Sequence, residues 1–174
     1  MMLASKSKSI TVLLIVSILA YTIPTVAQSY MEDQIQTEVS ADFNKQLNCL
    51  TNNIYFEAAT ESFEGKLAVA QVTLNRANNV NFPSTICEVV YQRTLTPNRI
   101  IVCQFSWTCL KNMVVRDKYA WQESEIVARK ALTEPYVHDT IARTNAMYYH
   151  AVYVNPGWNL KKVLRIGQHI FYKN

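Results

Sequence analysis

A single helix-spaced apolar stripe is the feature that most constrains how this chain can fold. Apolar residues recur at steps of four, four, three and four residues, at Val39, Phe43, Leu47, Leu50 and Ile54. Residues three and four positions apart share one face of an α-helix, so these steps predict a helix with a buried side. The next position on that face is Glu57. A carboxyl group is therefore expected where the helix calls for a core side chain.

The rest of the chain predicts helices first and short strands later. A second helical face follows the capping segment 60–62, a short helix is capped by Ser84 or Thr85, and Asp117 caps another helix that ends before Pro135. Three stretches favour strands: 100–102, 146–154 and 163–172. This order, without regular alternation, predicts a single α+β domain over residues 39–174.

The N-terminus has the pattern of a secretory signal peptide. Lys6 and Lys8 precede an apolar run over residues 10–23, which ends in small residues up to Ala27. We expect cleavage after Ala27, a polar tether over 28–38, and export to the periplasm or cell wall. A retained signal anchor is the alternative, although a membrane-spanning helix needs about 20 apolar residues. With cleavage, we expect contact with the membrane to be only transient, through the signal segment.

Net charge gives no support for nucleic-acid binding. The chain carries 17 basic and 13 acidic residues, and removing Lys6 and Lys8 leaves 15 against 13, a net charge of +2. No stripe of basic residues interleaved with aromatics is present. We therefore expect no nucleic-acid partner, and we expect the protein to act as a monomer.

Four cysteines form an even set, which in an oxidising compartment predicts disulfides. They are Cys49, Cys87, Cys103 and Cys109. Of the three possible pairings, Cys103 with Cys109 and Cys49 with Cys87 is slightly favoured. A zinc site is the competing interpretation, but no C-x-x-C pair is present. We expect neither a metal nor a cofactor.

Glu57 is the strongest candidate for chemistry. A carboxyl on an apolar helix face is desolvated, which raises its pKa and suits it to act as a general acid. The alternative is a solvated residue at a helix end. Glycoside hydrolysis usually needs a second carboxylate, which Glu61 or Glu64 could supply, although both also suit the start of a helix.

Other catalytic patterns are weak or missing. The histidines, His138, His150 and His169, lack H-E-x-x-H spacing. A nucleophilic cysteine at Cys49 conflicts with disulfide formation. Several aromatic residues combine flat apolar faces with polar tips and suit stacking on sugar rings: Tyr148, Tyr149, His150, Trp158, Phe171 and Tyr172.

Taken in order, these segments resemble the cell wall hydrolase family of the spore-cortex-lytic enzymes (SleB-like), including phage forms. The resemblance covers roughly Leu47 to Tyr172. It is carried by the stretches Asn53–Ala58, Glu64–Arg76, Phe82–Cys87, Cys103–Trp107, Tyr149–His150, Pro156–Trp158 and Ile166–Tyr172. The family often has Glu-Ala-Arg-Gly-Glu at the catalytic corner, whereas this chain has Glu57-Ala58-Ala59-Thr60-Glu61. Lys66 replaces a frequent Gln, on what we expect to be an exposed helix face.

The resemblance implies a compact lysozyme-related fold and an enzyme that acts on peptidoglycan glycan strands. Its usual reaction is lytic transglycosylation between N-acetylmuramic acid and N-acetylglucosamine, with one essential carboxyl group that falls on Glu57. Residues implied in substrate binding are Glu61, Glu64, Asn75, Gln104, Ser106, Tyr149, His169 and Tyr172. Three alternatives stay open: ordinary hydrolysis, an amidase or peptidase acting on the stem peptide, and a non-catalytic wall-binding protein.

Overall fold

The computed structural model describes the backbone of residues 4–134 and 139–174, and the side chains from residue 28 onward except 135–140 and 142. His138 and the side chains of the predicted signal peptide, residues 1–27, lie outside this description. The chain divides into two units, one that ends at Phe43 and one that runs from Asn44 to Asn174.

The first unit is helical. Helix α1, Ala4–Ala58, begins in it and ends in the second unit. Residues 28–38, expected to be a polar tether, are helical and exposed. Val39, predicted to face the core, is also exposed, so the buried part of the apolar stripe begins only at Leu47. Within the described residues, no helix has a segment long and apolar enough to cross a membrane.

The second unit contains the remaining helices and all the strands that the described residues form. After the end of α1 come α2 Phe63–Ala77, α3 Ile86–Val90, β1 Arg93–Leu95, β2 Ile101–Cys103, a 3₁₀ helix Ser106–Cys109, α4 Lys118–Thr133, α5 Asp139–Thr144, β3 Tyr148–Ala151, β4 Lys161–Ile166 and β5 His169–Lys173. Helices mixed with short strands, without regular alternation, confirm the predicted α+β class, although β1 and β2 come before α4 and α5 rather than after all the helices.

Side chains at the predicted positions cap these helices. The Ser62 hydroxyl accepts from the N–H of Gly65 at the start of α2, Thr85 caps α3, and the Asp117 carboxylate accepts from two N–H groups at the start of α4. Each cap satisfies N–H groups that have no partner inside the helix. The capping residues therefore fix where these helices begin.

The strands form two small antiparallel sheets. β1 pairs with β2, and β5 lies between β3 and β4. The stretch 163–172, predicted as one strand, is a hairpin: β4 turns at Gly167 and Gln168 into β5. Tyr149 lies opposite Phe171 in the β3–β5 register. Residues on one face of β3 and β5 therefore pack inward together.

Helix α2 provides the centre of the core. Ala68 and Val72 pack in one buried cluster with Ile141, Ala146 and Phe171. Tyr149 and three apolar residues of β4, Val163, Leu164 and Ile166, cover this cluster. Because α2 lies against the inner face of the three-stranded sheet, it fixes β3 relative to the helices.

Two disulfides are present, in the pairing that the sequence favoured. Cys49 and Cys87 join the end of α1 to α3, and Cys103 and Cys109 close a short loop after β2. Lys66, in contrast, is not on an exposed helix face. It is 5% exposed, and its Nζ lies 2.8 Å from Oε2 of Glu123 on α4.

Candidate active site

Glu57 lies in the last turn of α1, and a buried polar residue one turn earlier anchors that end of the helix. The Asn53 amide donates to the hydroxyl of Thr73 on α2, at 3.1 Å. Its oxygen accepts from the indole N–H of Trp107 in the 3₁₀ helix, at 3.2 Å. Because both partners of Asn53 are buried, these bonds hold α1, α2 and the 3₁₀ helix in fixed register.

Two aromatic neighbours of Glu57 add to this anchoring. The ring of Phe56 stacks on Trp107, with the ring centroids 4.5 Å apart. The hydroxyl of Tyr55 accepts from the backbone N–H groups of Arg116 and Asp117, each at 3.1 Å. The position of Glu57 is thus set by the side chains that precede it in the last turns of α1.

Glu57 opens into a cleft of about 300 Å³. The cleft is lined from α1, α2, the loop after β2, β3 and the β3–β4 connection. Its lining residues are Glu57, Arg76, Cys103, Gln104, Phe105, Ser106, Tyr148, Tyr149 and Trp158. Among the described residues that line it, Glu57 is the only carboxyl. Trp158 is 43% exposed, so an apolar ring face is available to a ligand at the cleft's edge.

The environment of Glu57 favours its protonated form. Burial raises the pKa of this carboxyl, while the hydrogen bond from Tyr149 and the positive charge of Arg76 partly oppose that rise. The Tyr149 hydroxyl donates to Oε2 at 3.1 Å. A carboxyl held in this way can give up a proton and then be stabilised as the carboxylate, as a general acid and base must be.

Arg76 of α2 is buried beside this carboxyl. Its guanidinium carbon lies 5.3–5.8 Å from the ring centroids of Phe82, Phe105 and Tyr148. Its Nε donates to the backbone oxygen of Met147 at 2.7 Å. The side chain therefore joins α2 to the start of β3 and brings a positive charge to the Glu57 cleft.

Glu61 lies in a different place from the cleft. Its carboxylate accepts from the N–H of Gln168 in the β4–β5 turn, at 3.2 and 3.3 Å. It also lies 3.6 Å from Nδ1 of His169, and both side chains are less than 10% exposed. Gly65 and Gly167 enclose it so closely that a Cβ atom at either glycine would contact it. Glu61 therefore anchors the hairpin.

Three of the other predicted site residues line the cleft with Glu57: Gln104, Ser106 and Tyr149. Tyr172 does not line the cleft but contacts residues next to it. Its hydroxyl hydrogen-bonds Nε2 of His150 at 2.9 Å, and its ring meets the edge of Trp158. Tyr172 thus supports a residue of the cleft wall rather than forming the wall.

The remaining predicted residues have other surroundings. The Asn75 amide donates to the backbone oxygen of Ala146 and accepts from Gln71, so it ties α2 to the segment before β3. His169 packs edge-on against Tyr149, and burial lowers its pKa. Glu64 is exposed in the first turn of α2. None of these three lines the cleft.

Sequence reasoning passed over two residues of the cleft. Arg76 and Phe105 lie within the stretches that carry the family resemblance, but the sequence predicts no role for either. An Arg near a helix end is ordinarily solvated, and nothing in its local sequence indicates burial. The rings that enclose it come from three separate segments, so only the tertiary fold reveals it. Tyr148 and Trp158, in contrast, had been singled out as sugar-stacking aromatics.

The groups that thiol or metal catalysis needs are not assembled in the described part of the chain. All four cysteines are in disulfides, so none is a free thiol nucleophile. Among the described residues, no cluster of three or more His, Cys, Asp or Glu side chains could hold a metal ion.

Residues 60–172 match the family described as Cell Wall Hydrolase. The matched range begins three residues after Glu57. Two curated relatives are spore cortex-lytic enzymes. That of Oceanobacillus iheyensis is 30% identical over 156 residues, which are 85% of this chain and 44% of the relative. That of Bacillus subtilis is 26% identical over 155 residues, 84% of this chain and 44% of the relative. The chain thus spans less than half the length of these relatives.

Two solved structures share the fold. The catalytic domain of the germination-specific lytic transglycosylase SleB from Bacillus anthracis has a TM-score of 0.51 and 24% identity, covering 74% of this chain and 93% of that one. The catalytic domain of the Bacillus cereus SleB protein has a TM-score of 0.50 and 22% identity, covering 75% and 91%. At these identities the likeness is one of fold.

Proposed function

The chain belongs to the cell wall hydrolase family, and we propose that it cleaves the glycan strands of peptidoglycan with Glu57 as its catalytic acid. The observation that carries this proposal is the site of Glu57: a desolvated carboxyl with a raised pKa, in a cleft with exposed aromatic surface. The names of the relatives and of the solved structures support the same class of substrate.

The reaction we propose is lytic transglycosylation. Glu57 gives its proton to the glycosidic oxygen, so the bond from C1 of N-acetylmuramic acid breaks and N-acetylglucosamine leaves with a free hydroxyl. The Glu57 carboxylate then takes the proton of the muramic C6 hydroxyl, and O6 bonds to C1 to form a 1,6-anhydro ring. Glu57 is protonated again at the end, and no water is consumed.

The make-up of the cleft supports a mechanism with one carboxylate. Retaining and inverting glycosidases place a second carboxyl about 5–5.5 Å or about 6.5–9.5 Å from the first. Among the described cleft residues there is no second Asp or Glu. Glu61 is bound to the β4–β5 turn, and Glu64 is exposed on α2. A nucleophile that belongs to the substrate removes the need for either.

The other cleft residues have roles that suit a sugar chain. Trp158 and Tyr148 offer ring faces on which pyranose rings can stack. Gln104 and Ser106 offer an amide and a hydroxyl that can hydrogen-bond acetamido groups. Asn75, His169 and Tyr172 act indirectly, since they hold the elements that carry these residues.

Digestion of purified sacculi tests the proposal. The wild-type protein should release muropeptides with 1,6-anhydro ends, identified by mass spectrometry, and Glu57→Gln should release none while unfolding at the same temperature. Glu134→Gln, at a 56% exposed side chain directly after α4, is the matched control and should stay active. Full activity of Glu57→Gln would remove Glu57 from the mechanism.

The nature of the products separates the alternatives. Reducing-end muramic acid would indicate ordinary hydrolysis, and new free amino groups would indicate a stem-peptide amidase or peptidase. Protein that pellets with sacculi without releasing product would indicate a wall-binding protein.

We also propose export. Residues 1–27 would be removed as a signal peptide and residues 28–38 would form the tether to a monomeric catalytic domain. The N-terminal sequence of the protein recovered outside the cytoplasm tests the cleavage site, and its mass in solution by light scattering tests the monomer.

A further inference from the structure

One polar atom at the Glu57 cleft has no partner. Nη1 of Arg76 is buried and meets no hydrogen-bond acceptor among the described residues. The residue is 4% exposed, and its side chain lines the same cleft as Glu57. Buried polar atoms in native proteins are almost always hydrogen-bonded, so an unpaired guanidinium nitrogen at a binding cleft calls for an explanation.

Burying the charged side chain of Arg76 costs desolvation free energy. Burial lowers the pKa of its guanidinium, although an arginine stays protonated in proteins. The charge of Arg76 is stabilised by three aromatic rings, one backbone carbonyl and the nearby Glu57 carboxyl, and these contacts leave Nη1 without a hydrogen-bond acceptor. A Leu or Met would fill the same space without that cost. Packing does not explain the charge, and its effect on Glu57 does not explain the unpaired Nη1, which a ligand acceptor in the cleft would satisfy.

We infer that Arg76 is the specificity residue of the cleft, and that it binds an acyl oxygen on the lactyl group of muramic acid. The inference rests on the proposed function. The lactyl ether at O3 is the group that distinguishes muramic acid from N-acetylglucosamine. An arginine donor suits its oxygen, whether this oxygen belongs to a free carboxylate or to the amide that carries a stem peptide.

This placement also explains which bond is cut. A muramic residue whose lactyl oxygen is on Arg76 lies in the cleft that holds the Glu57 carboxyl. In the proposed reaction the muramic residue supplies C1, so Arg76 binds the sugar on that side of Glu57 rather than the sugar that leaves. Arg76 thus sets the order of the two sugars across the reacting carboxyl.

Three probes separate the sources of the acyl oxygen. N-acetylmuramic acid carries a lactyl carboxylate, muramyl dipeptide carries a lactyl amide, and N-acetylglucosamine has no lactyl group. Binding is measured by NMR titration of the full chain in a Glu57→Gln background, so that nothing is cleaved. We expect both muramic probes to bind about tenfold or more tightly than N-acetylglucosamine, as a charge-assisted hydrogen bond allows.

Replacing the guanidinium then tests its role. Arg76→Met in the same background should bind both muramic probes no more tightly than N-acetylglucosamine. Arg76→Lys should keep part of the preference for N-acetylmuramic acid, whose lactyl group is a carboxylate. Arg129→Met, at a half-exposed arginine of α4, is the control for loss of one positive charge and should change nothing. Thermal unfolding of each variant identifies any that fail to fold, and Arg76→Lys keeps the test decisive if Arg76→Met is one of them.

Each outcome has a distinct meaning. Loss of preference only for the carboxylate probe supports recognition of charge, and loss for both supports recognition of the acyl oxygen itself. An unchanged ratio in folded Arg76→Met and Arg76→Lys overturns the inference, while the cleavage of sacculi by the wild-type protein leaves the proposed function standing. If the protein binds none of the probes and sacculi stay intact, the proposed function fails as well.

Discussion

The hydroxyl of Tyr149 on β3 donates a 3.1 Å hydrogen bond to the carboxyl of Glu57 at the end of α1. Burial raises the pKa of Tyr149 well above its usual range, so the phenol keeps its proton and acts as a donor. A donor stabilises the ionised carboxyl, which lowers the pKa of Glu57 against the larger effect of burial. Tyr149 therefore adjusts how readily Glu57 releases its proton.

Tyr149→Phe should extend activity to higher pH. Without the phenol, the pKa of Glu57 rises further, so the acid form that starts the reaction persists as the pH increases. The carboxylate that forms on proton transfer loses its donor, so kcat should fall about ten- to a hundredfold, the effect of losing one hydrogen bond to a charged group. The pH profile of sacculus digestion measures both changes.

The control for this change is Tyr153→Phe, at a tyrosine that is 86% exposed. It should match the wild-type profile. A Tyr149→Phe profile displaced to lower pH would contradict the direction of the hydrogen-bond effect.

The two disulfides should contribute unequally to stability. Cys49 and Cys87 are separated by 38 residues, Cys103 and Cys109 by 6. Loop-closure entropy then gives about 4 kcal/mol for the first pair and about 2 kcal/mol for the second. Urea unfolding of the two Cys→Ser double variants measures the difference, and equal losses would show that the loop-entropy account does not apply.

Loss of the second disulfide should also affect catalysis. Its loop contains three residues that line the cleft, Gln104, Phe105 and Ser106. The Cys103→Ser/Cys109→Ser variant should therefore show a raised KM, whereas the Cys49→Ser/Cys87→Ser variant, assayed below its unfolding temperature, should not. Steady-state kinetics on solubilised glycan strands compares them.

Gly167→Ala should be strongly destabilising. Gly167 has φ +52°, and a Cβ atom there would collide with the Glu61 carboxylate. Positive φ and overpacking together predict a loss of about 2–4 kcal/mol in the free energy of unfolding. Gly157→Ala is the matched control, because Gly157 has φ +66° with nothing within 4 Å of the new Cβ. It should lose only about 1 kcal/mol, and equal losses would exclude a role for Glu61.

The Lys66–Glu123 ion pair should respond unequally to the removal of each partner. The side chain of Lys66 is 6% exposed and that of Glu123 is 66% exposed. Glu123→Gln leaves a buried ammonium without its counter-charge and should cost about 1–2 kcal/mol, whereas Lys66→Met fills the site with an apolar chain and should be nearly neutral. Glu125→Gln, in a more exposed pair with Arg129, is the control. Thermal denaturation ranks the three variants.

The sequence predicted the helices that are marked by capping residues or by a regular spacing of apolar residues. Ser62 and Asp117 mark helix starts by capping, and the spacing of apolar residues predicted α2. The β4–β5 hairpin was missed because its loop has only two residues, Gly167 and Gln168, and the strand-like pattern continues across it. Val39 was assigned to the core because periodicity identifies a helix face but gives no information on where neighbouring elements begin to cover it.

The residues of the candidate site likewise divide into those with a local signal in the sequence and those without one. Glu57 is detectable because a carboxyl interrupts an apolar face of its own helix. Arg76 has no such local signal, since its burial depends on Phe82, Phe105 and Tyr148. Lys66 was wrongly predicted to lie on an exposed face, since its burial depends on Glu123 of α4, which is far away in sequence.

The position of Glu61 between two glycines also limits how this sequence can vary. Its side chain occupies the space that a Cβ atom would need at Gly65 on α2 and at Gly167 in the hairpin. At Gly167 the added Cβ would meet the carboxylate of Glu61, which a shorter residue at position 61 would remove, whereas at Gly65 it would lie 2.8 Å from the Cβ of Glu61, which every residue except glycine carries. Positions 61 and 167 should therefore change together in functional variants, while position 65 stays glycine. Libraries that randomise positions 61 and 167 one at a time would discard combinations that fold.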